Sequence, residues 1–174
     1  MYKIGIIGHS PDHFSDRQSV QRTVVRTIDR LGLQYGESEV VFNIAGEIGI
    51  GLWASSECLN RIYKYHLFLP YSLEDTCQHW YDDQKSTLDM NFKHAYSLTT
   101  CYPNTEWADK SYELLIDDSN FVVCFWTGRK QGKAYDAIRY ALRTNKLALH
   151  GLDELKLITN IDVKKTSGKR RNKK

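Results

Sequence analysis

The chain of 174 residues contains no run of roughly 18 apolar residues, so no helix of the length needed to span a bilayer is expected. It has no Cys-x-x-Cys pair: Cys58, Cys77, Cys101 and Cys124 stand alone, which argues against a zinc site. The opening MYKIGIIGHS has a single lysine, a short apolar stretch and no small-residue cleavage site, so it does not read as a secretion signal. A cytoplasmic location follows as the expectation, and with it free thiols rather than disulfides. Cys58, Cys77 and Cys124 fall at apolar positions and are expected to be buried. What is present is ordinary for a folded chain, with 41% hydrophobic and 26% charged residues, which excludes disorder as the main state.

The formal charge of +3 is unevenly spread. Asp162 to Lys174 holds seven Lys/Arg and one acid, so the 24 bases and 21 acids of the chain leave 17 and 20 in the body, a net −3. Residues 1–160 are expected to form one domain and 161–174 a basic, disordered tail. Residues 164–174 could contact nucleic acid weakly through counterion release, or simply be a solvated terminus.

Strand and helix patterns alternate throughout. Apolar runs predict strands at 2–8, 39–44, 65–69, 95–100, 121–126 and 147–150. A helix is expected from Ser15, with Gln18 completing a capping box, Val20, Val24, Ile28 and Leu31 on one stripe, and Gly32 as its stop. Further helices are expected at 52–64 with Leu59 and Ile62 inward, as one long helix at 73–95, at 105–118 after Pro103 and Asn104, and at 133–145. Connections too long for hairpins, joined right-handedly, give a single doubly wound α/β domain with a mainly parallel sheet flanked by helices. In such sheets ligands lie outside the carboxyl ends of the strands.

Three strand-to-helix loops carry the chemistry. The first is Gly8-His9-Ser10-Pro11-Asp12-His13, where glycine admits a ligand close to the backbone; the alternative is a plain Pro-Asp turn. His9, Asp12 and His13 have metal-ligating atoms, but a loop gives their spacing no common face, and no metal is expected. The second holds Gly46, Glu47, Gly49 and Gly51 ahead of a helix. It suits a turn under a phosphate or ribose, with Glu47 either accepting ribose hydroxyls or standing as an exposed loop acid. The third is Thr127-Gly128-Arg129-Lys130-Gln131-Gly132-Lys133, whose bases and following helix amides favour an anion. Asp136, one turn into that helix, is placed either to act on a sugar or to complement the helix dipole. Trp126 and Tyr102 are the candidates to stack a base, while Trp80 is expected in the core.

Taken in order, GHS at Gly8–Ser10, GEIGIGLWA at Gly46–Ala54, LFLP at Leu67–Pro70, DDSNFVVCFWTG at Asp117–Gly128 and QGKAYDAIRYA at Gln131–Ala141 resemble the SLOG superfamily. That group gathers LOG-type phosphoribohydrolases, DprA-type DNA-processing proteins and YpsA-like small proteins, and the YpsA-like branch is the nearest in pattern. The resemblance spans about residues 2–150. It implies a Rossmann-like fold, a nucleotide-type ligand, no resident cofactor and a tendency to form homo-oligomers. LOG-type members cleave the N-glycosidic bond of nucleoside monophosphates with a glutamate and an arginine. The resemblance puts Asp136 at the glutamate and Ser111, beside Lys110, at the arginine. Gln131, Lys133 and Gly51 replace a glycine, a threonine and an aspartate of the pattern. It therefore implies Asp136 or Glu47 as catalytic carboxylates, and Gly8, His9, Ser10, Gly46, Gly49, Trp126, Thr127, Gly128, Arg129, Gly132 and Lys133 as ligand-binding residues. Three functions stay open: an N-glycosidase, a non-catalytic sensor of a nucleotide-derived signal, and a DNA-associated protein.

Overall fold

The computed structural model describes residues 1–101, 108–159 and 161. Tyr102, the helix start at Pro103–Asn104 and residues 162–174 of the expected basic tail lie outside them, whereas Ile161, assigned to that tail, is 6% exposed and packs in the core. Seven strands form one sheet in the order β4-β3-β2-β1-β5-β6-β7. They are β1 (Tyr2–Gly8), β2 (Val40–Ala45), β3 (Lys64–Leu69), β4 (Ser97–Thr100), β5 (Phe121–Phe125), β6 (Leu147–His150) and β7 (Lys156–Leu157). The first six pair in parallel; β7, which the sequence pattern does not reveal, pairs antiparallel with β6. The helices are α1 (Arg17–Tyr35), α2 (Ile50–Arg61), α3 (Leu73–Cys77), α4 (Asp82–His94), α5 (Ala108–Asp117) and α6 (Lys133–Arg143). This is the expected α/β, Rossmann-like architecture.

Alternation along the central strands sends side chains to both faces. Ile4, Ile6, Phe42, Ile44, Leu67 and Val123 pack under α1 and α2 with Val24, Ile28, Leu31 and Cys58. Ile7, Ala45, Phe68, Val122 and Cys124 face α5 and α6 with Leu115, Ile116, Ala137 and Ile138. Each large aliphatic so buried contributes about 1.5–3 kcal/mol relative to exposure. One polar insertion interrupts the second face. Fully buried Asn43 donates to Asp118 and Ser119 at 3.1 and 3.0 Å, and Asp118 takes Lys3 Nζ at 2.6 Å.

Several local expectations need correction. The cap of α1 is Asp16, which accepts from the Ser19 amide, and the helix ends at Gly36 rather than Gly32. Gly32 lies inside α1 because a Cβ there would sit 2.3 Å from the Tyr63 ring. Ile62 is not inward: it is 89% exposed and terminates α2 in the left-handed conformation, φ 61°. The long helix at 73–95 is two helices. Ser72 caps α3, and Gln84 Oε1 accepts the Tyr81 amide to start α4. Trp80 and Cys77 are only partly buried, in a small cluster with Leu52, Leu69 and Leu88. All four cysteines are free thiols, as expected. No helix among the described residues is long and apolar enough to cross a membrane.

Candidate functional site

The chain builds outward from β1 to β4 on one side and then crosses to β5 on the other, so the strand order reverses between β1 and β5. In open α/β sheets such a reversal is where ligands bind, beyond the carboxyl ends of the strands. Gly8 of β1 pairs with Phe125 of β5, and the His9 amide donates to the Phe125 carbonyl at 3.1 Å. The loops that begin at His9 and Trp126 are therefore neighbours. Because β2 runs parallel to β1, the Gly46–Gly49 loop leaves the same rim.

His9 is the buried polar group of this rim, 4% exposed. Its ring stacks on His13 at 4.9 Å and meets the edge of Phe14. Its Nε2 is buried without a hydrogen-bond partner among the described residues. Burial, reinforced by the neighbouring His13 and Arg129, pushes its pKa below the ordinary imidazole value, so the ring is neutral at neutral pH. Ser10 Oγ lies 3.0 Å from His13 Nδ1, and Asp12 is paired with Arg17 at 2.5 Å.

The second loop is explained by packing. Gly49 has φ +87°, and a Cβ there would lie 2.5 Å from Pro11 Cγ, so Pro11 wedges the first loop against the second. A Cβ at Gly51 would approach the Ala45 carbonyl oxygen to 1.9 Å. The close approach of α2 to the end of β2 requires these glycines, and Gly46 is similarly pressed by Leu69. Glu47, partly buried, accepts a short hydrogen bond from the Tyr112 hydroxyl of α5. Burial pushes its carboxyl up to about 7, against the opposing pull of Tyr112 and of the Lys133 charge. Glu47 therefore shares its surroundings with Lys133 at the start of α6.

The third loop differs in kind. Gly128 and Gly132 have φ +86° and +88°, with nothing within 4 Å of either Cβ position. Thr127, Arg129 and Lys133 are exposed around them, and Gly132 caps α6 without a side-chain partner for its first amides. Trp126 holds this loop: its Nε1 donates to the Arg129 carbonyl at 2.7 Å, and its ring stacks on Tyr135 and tilts against His150. Asp136 points outward, its side chain 70% exposed and 3.9 Å from Arg139. The structure thus brings His9, Arg129, Glu47 and Lys133 together at one rim. Tyr112, the partner of Glu47, is the residue that sequence reading missed, because it falls on the apolar stripe of α5 and reads there as core. No group of three or more His, Cys, Asp or Glu among the described residues is arranged to hold a metal ion.

A cleft lies beside this rim. It has a volume of about 440 Å³ and runs between α1, α2 and α4, meeting the rim loops at Pro11, Ile48 and Gly49.

No family model matches the sequence, and no curated protein matches it. Solved structures do. DNA processing protein A (DprA) from Streptococcus pneumoniae superposes with a TM-score of 0.64 at 14% identity, over 85% of this chain and 49% of its own. The chain thus spans about half the length of that protein. The structure of TM1055, a structural-genomics target, matches with a TM-score of 0.59 at 12% identity, covering 85% of this chain and 72% of that one. DprA from Helicobacter pylori, described for its single-stranded DNA binding mode, matches with a TM-score of 0.61 at 15% identity, over 88% and 71%. The likeness is one of fold, a mainly parallel, Rossmann-like sheet flanked by helices.

Proposed function

We propose that the rim between β1, β2 and β5 binds a nucleotide or nucleotide-derived ligand by its phosphate and sugar. The observation that carries this reading is His9, a buried imidazole whose Nε2 lacks a partner at the point where the strand order reverses, beside Arg129 and the open glycine loop. A buried polar nitrogen left unpaired costs about 1–3 kcal/mol, and a ligand oxygen hydrogen-bonded to it would recover that. Arg129, Lys133 and the first amides of α6 supply charge and donors for an anion.

If the ligand is turned over, the bond is N-glycosidic and Glu47 is the better carboxylate. It is partly buried and exists in both protonation states near neutral pH, as proton transfer to a leaving base or from an attacking water requires. Asp136 stands in solvent. A panel of nucleoside monophosphates and NAD-type dinucleotides, followed for binding and for release of free base, tests the reading. Saturable binding with base release supports a glycosidase, with Glu47→Gln lowering the rate about a hundredfold. Binding without product supports a sensor. No binding at millimolar ligand overturns the proposal.

A second reading is favoured by the likeness to DprA from Helicobacter pylori, which is described for its single-stranded DNA binding mode. Its signature would be an affinity that falls steeply with salt and is lost on deletion of Asp162–Lys174.

A further inference from the structure

The cleft between α1, α2 and α4 is unused by the rim chemistry, and its volume of about 440 Å³ is that of a small-molecule site. Its lining has a consistent character. Trp53 supplies an aromatic wall, Gln21 and Asn60 supply carboxamide side chains that both donate and accept, and Gln84, whose Oε1 holds the Tyr81 amide, supplies its amide N–H donors. The charges around it are balanced locally. Arg17 is paired with Asp12, Glu57 with Arg61 at 2.9 Å, and Arg61 also with Asp29 at 2.7 Å. Asp83 sits in the first turn of α4, where the helix dipole offsets it. Such a surface suits a flat, uncharged ring with donors and acceptors on its edge, and it does not suit an anion. The two loops that Pro11 and Gly49 lock together form one side of the rim and one end of the cleft, so the two regions adjoin at these residues.

We infer that this cleft is the base-binding half of the ligand site: a nucleobase or similar heteroaromatic ring enters between α1 and α4 beside Trp53 while its sugar-phosphate stays at the rim. The inference rests on the rim reading for the position of the phosphate, and on the cleft alone for the ring.

Calorimetric titration separates the two. The probes are ribose 5-phosphate, the common nucleoside 5′-monophosphates and the corresponding nucleosides. The proteins are the full chain, Trp53→Leu, and a Gln21→Ala/Asn60→Ala double variant, whose two sites are exposed helix positions that leave the core intact. Nucleotides are expected to bind about tenfold or more tighter than ribose 5-phosphate. Both variants should erase most of that gap while leaving ribose 5-phosphate affinity unchanged. Nucleotides binding no tighter than ribose 5-phosphate, or a gap that survives both variants, would overturn the cleft assignment and leave the rim reading standing. Nucleosides binding in a Trp53-dependent way while ribose 5-phosphate fails to bind would support the cleft and overturn the rim.

Discussion

Glu47 shows what single residues contribute. Its carboxyl is raised from an ordinary 4.5 to about 7, chiefly by burial, so folding disfavours its ionised form. A group with a raised folded pKa gives stability that is complete below its unfolded value and is lost as pH rises through the folded one. The chain should therefore lose stability relative to Glu47→Gln between about pH 4.5 and 7. The shift corresponds to roughly 3 kcal/mol, and partial exposure reduces the expected loss to about 1–2 kcal/mol. Urea denaturation of both proteins at acid and mildly alkaline pH measures it; a difference that does not change with pH contradicts the assignment. Glu47 was legible in the sequence as a loop acid, but its burial was not, because the residue that covers it, Tyr112, comes from a helix some sixty positions away. The glycines around it were legible as a turn, but the packing that requires two of them was not. Gly49 and Gly51 answer to Pro11 and to the Ala45 carbonyl, contacts that no local pattern contains.

Among elements, those with a clean apolar stripe were legible and those joined by accident of spacing were not. On α6 the spacing of Ala134, Ala137, Ile138, Ala141 and Leu142 predicts one buried face; the first four are buried and Leu142 is partly buried against them. Residues 73–95 keep spacings of three and four across a break, because Cys77 and Leu88 reach the same small cluster from two helices. Periodicity records which side chains are buried and is silent on whether the backbone between them is continuous. The end of α2 makes a prediction of its own. Ile62 is β-branched, 89% exposed and held at φ 61°, a conformation that costs a non-glycine residue about 1 kcal/mol. Ile62→Gly should raise stability by about 0.5–1 kcal/mol, seen as a higher melting temperature, since almost no packing is lost. A fall in melting temperature would show that the exposed side chain is not idle.

At the scale of the whole molecule, six parallel strands send every strand-to-helix loop to one rim, and the reversal of order between β1 and β5 parts two of those loops. The alternation of strand and helix made this legible, and the three loops singled out by glycine and charge do converge there. The antiparallel β7 was not legible, since two exposed residues carry no periodic signal. The position of the cleft was not either, because it depends on how α4 packs across α2. The central claim is that the rim holds phosphate. Its most direct test is a thermodynamic cycle that compares a nucleoside monophosphate with its nucleoside, on the natural chain and on an Arg129→Ala/Lys133→Ala variant, by calorimetry at low salt. The account predicts that removing the phosphate weakens binding to the natural chain by about tenfold or more and makes little difference to the variant. Equal loss of affinity in both proteins, or no loss in either, would contradict it.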